Sequence, residues 1–174
     1  MLEGLEVFTR LPNIEIRELG EFDVKEHDAT IVTRPVRVKE LASLGLSSLL
    51  ESHIKRNAQD VVVHIVKGRD TIIAPKLEAP SPSLLVRYSS AQCVRKAKSF
   101  YKNIAVLVTS TVENALYNAV LGTLLGCYEF TPFKSKERGI LEKITVYYNN
   151  KTENAETQLK RALIIAKAVY IARD

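Results

Sequence analysis

From residue 84 onward, short apolar runs alternate with segments of helical periodicity, and this order constrains the fold more than any other feature of the chain. The predicted strands are residues 84–86, 104–108 and 141–148, and the predicted helices are residues 90–102 and a segment that starts at Ser110. The connections between them are short. A strand–helix–strand order of this kind predicts right-handed crossovers around a parallel sheet.

The first half of the chain adds more strands and one short helix. Strands are predicted over residues 13–19, 28–36, 61–66 and 71–74, and a helix is predicted over residues 44–56. The run at 61–66 is rich in β-branched residues, which is typical of a strand buried on both faces. A turn at 67–70 makes the last two strands a hairpin, and the prolines at 75, 80 and 82 indicate an extended loop. The whole pattern predicts a three-layer α/β/α domain with a mixed, mostly parallel sheet.

The bulk composition of the 174 residues, 46% apolar and 26% charged, is that of a soluble globular protein with enough length for a real core. No apolar run reaches the roughly 18 residues that a membrane-spanning helix needs, so no membrane partner is expected. The N-terminus carries acids where a secretory signal has cations. Two cysteines, Cys93 and Cys127, do not make a disulfide scaffold, and a cytoplasmic location is predicted.

The charge of the chain is uneven. Residues 1–60 carry 8 Lys/Arg and 11 Asp/Glu, whereas residues 61–174 carry 17 and 9, so the second half has a net charge of +8. A basic half could favour an acidic partner or nucleic acid. The densest cluster, Arg95, Lys96, Lys98 and Lys102, follows an amphipathic helix, and no nucleic-acid motif accompanies it. A solvated helix face is therefore the favoured interpretation, with DNA binding as the alternative.

Residues 110–139 form a capped helix followed by an aromatic loop. Ser110 with Glu113 is a capping-box pattern, which predicts that the helix starts there. Gly122 and Gly126 would allow close approach to a neighbouring backbone. The loop contains Tyr128, Phe130 and Phe133 among several lysines. Rings at this density are expected to anchor the loop to the domain or to a neighbouring domain rather than to contact a ligand.

The last predicted helix runs from about Thr152 to Arg173, with a cap from Asn150 and Glu153. One apolar stripe contains Ala155, Leu159, Ala162, Ala166 and Val169. In its second half the helix is apolar on its other faces as well, which is typical of a helix buried on several sides. We therefore expect another part of the protein to pack against it and the chain to continue beyond Asp174.

The residues that usually carry chemistry do not form a recognisable constellation. His27, His53 and His64 are isolated from one another, and the two cysteines are too far apart for a zinc knuckle. His64 is interpreted as a core or ladder residue, and Cys127 as a small core hydrophobe. A predicted strand-to-helix turn at Tyr88-Ser89-Ser90 could bind an anion, but helix capping is favoured. No catalytic, cofactor-binding or metal-binding residue is assigned.

Two motifs resemble the N-terminal domain of the leucyl (cytosol) aminopeptidase family of metallopeptidases. The first is Ala119-x-x-Gly122-x-x-x-Gly126-x-Tyr128-x-Phe130-x-x-Phe133-Lys134-Ser135-Lys136. The second is the terminal helix that ends in Ala172-Arg173-Asp174, which in the family bridges to the catalytic domain. The resemblance implies a macrodomain-like α/β/α domain over residues 1–150 and a helix over 151–174 that leads to a C-terminal catalytic domain.

The resemblance also implies a function that supports catalysis without taking part in it. The two divalent metal ions of the family, zinc or manganese, and its catalytic motifs belong to the C-terminal domain, and none of those motifs occurs here. The implied role is to support a homo-oligomer, a hexamer in the family, and to control access to the active sites. The alternative is a stand-alone macrodomain-like module that binds an ADP-ribose-type ligand or nucleic acid. The segment Arg87-Tyr88-Ser89-Ser90 replaces a glycine-containing segment of the family, which argues against nucleotide binding by analogy.

Overall fold

A computed structural model describes residues 11–46, 61–128 and 140–173. Their centre is one six-stranded sheet with the strand order β1-β6-β5-β2-β4-β3. The strands are β1 (Asn13–Glu18), β2 (Ala29–Val32), β3 (Val62–Val66), β4 (Arg69–Ile73), β5 (Asn103–Val108) and β6 (Lys143–Tyr148). Every neighbouring pair is parallel except the β3–β4 hairpin. The sheet is therefore mixed and mostly parallel, as the sequence predicted.

In these described ranges four helices accompany the sheet: α1 (Val38–Ser43), α2 (Pro82–Ala97), α3 (Ala115–Cys127) and α4 (Ala155–Arg173). The long helices α2, α3 and α4 pack on one face of the sheet, and α1 with two short 3-10 turns packs on the other. Side chains alternate between these two cores along each strand because successive residues of a strand point to opposite faces. In β5, for example, Ile104 and Val106 face the large core, and Ala105 and Leu107 face the small one. This is the α/β fold with helices on both faces that the sequence predicted.

The two glycines of α3 lie where this helix crosses the backbone of α2. An added Cβ at Gly122 would lie 2.2 Å from the carbonyl oxygen of Arg87, and one at Gly126 would lie 2.6 Å from that of Ala91. Both distances are shorter than any real carbon–oxygen contact, so only glycine fits at these positions without a shift of one helix. The prediction of close approach is confirmed.

The prediction of a strand at 84–86 is wrong, and the helix predicted over 90–102 starts earlier and ends earlier, because one helix, α2 (Pro82–Ala97), covers 84–86 and 90–97 without a break. Ser81 caps it by accepting a hydrogen bond from the Leu84 amide, and Pro82 occupies its first turn, where a missing N–H costs nothing. The hydroxyls of Ser89 and Ser90 both donate to the carbonyl of Val86. The Ser89 hydroxyl also accepts a hydrogen bond from the Arg34 amide. Both serines lie inside the helix, so the predicted strand-to-helix turn, with its caps or anion site, does not exist.

Two other helix starts differ from the predictions, and one predicted helix falls mostly outside the described residues. Helix α3 begins at Ala115 rather than Ser110, whose hydroxyl instead accepts a hydrogen bond from the Val112 amide in a local turn. Helix α4 begins at Ala155 rather than near 152. A helix was predicted over 44–56, but α1 ends at Ser43, before that range; positions 47–56 lie outside the described residues.

Strand β3 does not have the two buried faces that its β-branched run predicted. It is the outer strand of the sheet next to β4, and its exposed side chains include Val63 at 51% and Ile65 at 77%. A continuous apolar run cannot distinguish a central strand from an unprotected outer one, because both lack polar alternation. The hairpin itself is confirmed.

Candidate functional site

A cleft of about 470 Å³ opens at the carboxyl ends of β5 and β6. Its walls are the β5–α3 connection, the first turn of α3, the β6–α4 connection and the first turns of α4. The lining includes Thr111, Asn114, Tyr117, Lys151, Asn154 and Arg161. Parallel sheets commonly bind ligands in such a crevice, where two neighbouring connections leave the sheet.

The two connections that form the cleft are built alike. Asn114 and Asn154 both adopt a left-handed backbone conformation, with φ of 55° and 53°, directly before the first residue of a helix. Asparagine tolerates this region better than most residues. Each sits in the same tripeptide, Glu-Asn-Ala, at 113–115 and again at 153–155. The repeat was visible in the sequence, and it is the signal that could have located the cleft.

Gln158 of α4 ties the two connections together. Its side-chain oxygen accepts a hydrogen bond of 2.9 Å from the Tyr117 amide, one of the amides of the first turn of α3 that have no partner within their own helix. Its side-chain nitrogen donates to the carbonyl of Glu153, also at 2.9 Å. One side chain thus caps α3 and holds the β6–α4 connection, which fixes the separation of the cleft walls.

The ring of Tyr117 lies between two cations on the wall of the cleft. The guanidinium of Arg161 is 4.9 Å from the ring centroid, and that of Arg87 is 5.8 Å away. Arg87 also donates to the side-chain oxygen of Asn118, at 2.9 Å. The cleft lining as a whole holds two cations and two carboxylates, so its formal charges cancel. It does not present the cationic surface that a nucleic-acid backbone would require.

The second notable surface is the outer face of α4. The inner face is buried at Ala162 and Ala166, which belong to the predicted stripe, and at Tyr170, which takes the place predicted for Val169. The outer face carries Ile164 and Ile171, which are 67% and 62% exposed and lie seven residues apart on one stripe. The described residues therefore bury this helix on one side, and the partner expected for its other sides stays a prediction.

Tyr128, the first ring of the aromatic segment, anchors to α4. Its ring lies 4.9 Å from that of Tyr170 in an edge-on arrangement, and the guanidinium of Arg173 lies 5.4 Å from its centroid. The Tyr170 hydroxyl donates to the carbonyl of Leu124 in α3. This agrees with a structural role for Tyr128. Phe130, Phe133 and the lysines that follow lie outside the described residues.

The histidines and cysteines within residues 11–46, 61–128 and 140–173 are not gathered at one place, and no group of three His, Cys, Asp or Glu side chains there could hold a metal ion. Burial raises the pKa of the Cys93 thiol to about 12, so this cysteine is an unreactive core residue. Cys127 packs against the large core, as predicted. His53 lies outside the described residues.

His27 is held in one tautomer by two neighbours. Its Nδ1 lies 3.1 Å from the side-chain oxygen of Asn103, which can only accept, so Nδ1 carries the proton. Its Nε2 lies 2.8 Å from the Tyr147 hydroxyl and accepts a hydrogen bond from it. Burial lowers the pKa of His27 below 6.5 and raises that of Tyr147 to about 12. The pair is a buried neutral network, and its role is structural.

The cations of the predicted basic cluster lie in the last turn of α2 and just after it. Arg95 and Lys96 are exposed on the last turn of the helix, whereas the Lys98 amine donates to the carbonyl of Tyr128. Cations in the last turn stabilise a helix through its dipole. The solvated-face interpretation fits this placement.

Among the described helices, none is long and apolar enough to cross a membrane.

No known protein family matches the sequence, and no curated protein matches it. Solved structures match its fold. A mutant tomato leucine aminopeptidase superposes on 92% of this chain and 38% of its own, with a TM-score of 0.68 and 17% identity. The bottromycin maturation enzyme BotP in complex with Mn matches 85% of this chain and 31% of its own, with a TM-score of 0.59 and 17% identity. A second BotP structure matches 85% of this chain and 32% of its own, with a TM-score of 0.59 and 15% identity.

This chain spans less than two-fifths of the length of these enzymes. The part of the leucine aminopeptidase that it matches is the N-terminal region. The chain therefore has the fold of the N-terminal domain of leucine aminopeptidases, in agreement with the resemblance seen in the sequence.

Proposed function

We propose that this chain is the non-catalytic N-terminal domain of a leucine aminopeptidase-type metallopeptidase, which removes N-terminal amino acids from peptides. The observation that carries the proposal is the match between 92% of this chain and the N-terminal region of the tomato enzyme. In this proposal the domain supports a homo-oligomer, a hexamer by family resemblance, in the cytoplasm and controls access to the active sites.

The outer face of α4 is the surface proposed to meet the catalytic domain. Ile164 and Ile171 are exposed in the described part of the chain, and covering such a side chain is worth about 1.5–3 kcal/mol. The two metal ions, zinc or manganese, are assigned to that domain by the family resemblance.

An activity assay of the purified chain tests whether catalysis belongs to the other domain. We expect no release of amino acid from a leucine chromogenic substrate, with or without manganese. We also expect zinc and manganese to leave the unfolding temperature unchanged, because a resident metal would stabilise the native state. Release of amino acid that increases with manganese would contradict the proposal.

The coding sequence provides a second test, which does not depend on activity. We expect the reading frame to continue past Asp174 into the metal-site motifs of the family. A stop codon at that point, with no separate chain carrying those motifs, would remove the proposed link to a catalytic domain.

The alternative is a macrodomain-like module that binds an ADP-ribose-type ligand or nucleic acid, and the cleft at the ends of β5 and β6 favours the ADP-ribose-type ligand of these two. Two helix N-termini border the cleft, and their amides could receive a phosphate. Calorimetry with ADP-ribose and a gel shift with duplex DNA at low and moderate salt distinguish the cases, since phosphate contacts are salt-dependent. If neither ADP-ribose nor duplex DNA binds in these assays, this alternative is eliminated.

A further inference from the structure

Strand β3 forms one edge of the sheet in the described part of the chain. In the described part of the chain it has a strand neighbour on one side, β4, and its sequence is Val62-Val63-His64-Ile65-Val66, with no charge and no proline. Proteins usually guard outer strands with charged residues, prolines or bulges. The other outer strand, β1, follows that rule: Glu15 pairs with Arg17 at 3.0 Å and with Lys143 at 3.1 Å.

The hairpin geometry shows which backbone groups of β3 face outward. The two turn residues both have positive φ, 51° at Lys67 and 78° at Gly68, as in a type I′ turn. The pair of residues that flanks such a turn exchanges both backbone hydrogen bonds, and bonded pairs alternate along the strands. By this alternation the N–H and C=O groups of Val63 and Ile65 point away from β4.

The side chains of these same two residues are also exposed. Val63 and Ile65 lie two positions apart, so they share one face of the sheet. They are 51% and 77% exposed, which for β-branched apolar residues in mid-strand is unusual. Outward-facing hydrogen-bonding groups and exposed apolar side chains therefore coincide at one short segment.

We propose that β3 pairs antiparallel with β3 of a second copy of this chain, about a two-fold axis that passes by His64. An interface of this symmetry must be self-complementary. The segment meets that condition because it reads the same in both directions by residue class: two β-branched residues, a histidine and two β-branched residues. Val63 of each copy lies opposite Ile65 of the other, a favourable cross-strand pair.

The backbone and charge patterns agree with this register. The two Val63–Ile65 pairs are the hydrogen-bonded pairs, which gives four intermolecular backbone hydrogen bonds, and the central His64 pair is a non-bonded pair. Antiparallel pairing places the two turns, each with an exposed Lys67, at opposite ends of the interface. Parallel pairing would bring these like charges together. The product is one sheet of twelve strands across two copies.

Sedimentation of the chain over micromolar to millimolar concentrations tests the proposal. We expect the mass to rise with concentration from that of one chain, 19.5 kDa, toward twice that value. Ile65→Lys should keep the fold, as checked by circular dichroism, and remain monomeric throughout, because it puts a solvated charge at the interface. The matched control is Ile164→Lys, an exposed isoleucine on α4, which should dimerise like the parent.

Cross-linking tests the register. In a Cys127→Ser background, His64→Cys places two thiols beside the two-fold axis, where Cα atoms of a non-bonded pair are about 4.5 Å apart and a disulfide can form. Val62→Cys is the control, since its counterpart in the other copy lies more than about 7 Å away. We expect the first variant to form a covalent dimer faster than the second under mild oxidation. Three outcomes would each overturn the proposal. They are a chain that stays monomeric at every concentration, a dimer that persists in Ile65→Lys, and equal cross-linking of the His64→Cys and Val62→Cys variants. These readouts concern self-association through β3, so their failure would leave the proposed link to a catalytic domain intact.

Discussion

Gly122 packs against the carbonyl of Arg87, where an added Cβ would come within 2.2 Å of the oxygen. Gly122→Ala must therefore separate α2 from α3, and we expect it to lower the free energy of unfolding by about 1–3 kcal/mol. Denaturant titration measures the change. Gly20→Ala is the control, because nothing lies within 4 Å of its added carbon. It should be neutral or slightly stabilising. Equal losses for both variants would show that crowding at the helix crossing is not the cause.

His27 should make stability depend on pH in one direction. Burial lowers its pKa below 6.5 in the native state. Above pH 6.5 the residue is neutral whether folded or unfolded, and its contribution is complete. As the pH falls below 6.5, the unfolded chain takes up a proton before the native one does, so stability declines.

Thermal unfolding across pH 4.5–8 measures this dependence. We expect His27→Gln, which keeps a donor and an acceptor but does not titrate, to flatten the decline between pH 6.5 and the lower pKa of the native residue. The matched control is His64→Gln, which removes a histidine from β3. The same flattening in both variants would assign the effect to histidine content rather than to the buried network of His27.

At the level of elements, Gln158 makes α4 a structural cap for α3. Gln158→Ala removes the partner of the Tyr117 amide and of the Glu153 carbonyl, and we expect a loss of about 1–2 kcal/mol. Lys160→Ala, an exposed change two positions along the same helix, should stay within about 0.5 kcal/mol. Hydrogen exchange should also be faster at the Tyr117 amide in the first variant. Unchanged exchange there would rule out the capping role.

The elements that sequence periodicity predicted best are the buried ones. β5, β6 and the hairpin were located within about two residues, because apolar runs between turn residues leave few alternatives. Helix α2 was missed as a unit. Its first turns contain Leu84, Leu85 and Val86, a short apolar run that resembles a strand, and its serines resemble a cap. The helical conformation is stabilised by the packing of α2 on α3 and by the hydrogen bonds from Ser89 and Ser90 to Val86. Neither feature can be recognised in the sequence alone.

The cleft was less accessible to prediction than the fold. Its lining comes from two connections forty residues apart in the chain, and their proximity follows from the β5–β6 pairing, which no local pattern shows. The repeated Glu-Asn-Ala at 113–115 and 153–155 was the available signal. Each copy by itself resembles an ordinary helix start, so neither copy alone predicts a cleft.

For the whole molecule, the exposed isoleucines of α4 should matter to assembly and not to the fold. We expect Ile164→Glu with Ile171→Glu to leave the stability of this chain within about 1 kcal/mol and to reduce its binding of a hydrophobic dye. In the full-length gene product the same pair should weaken domain docking, measured as earlier unfolding or easier proteolysis between the domains.

Lys160→Glu with Lys167→Glu is the matched control on the same helix, since it adds negative charge without removing apolar surface. Both control positions are exposed. Unfolding of the isolated chain by the isoleucine variant would show that these side chains belong to the core. Equal effects of both variants on docking would assign the effect to charge.

The pairing of β1 with β6 has a consequence for the order in which the molecule can form. Asn13 aligns with Lys143, so β1 is synthesised 130 positions before its partner strand. Contacts this distant in sequence slow the folding of a domain. β1 therefore stays unpaired until those residues have been made, and the sheet closes on that side last. A nascent chain arrested before residue 143 should expose β1 to protease even when the β2–β5 centre of the sheet has formed.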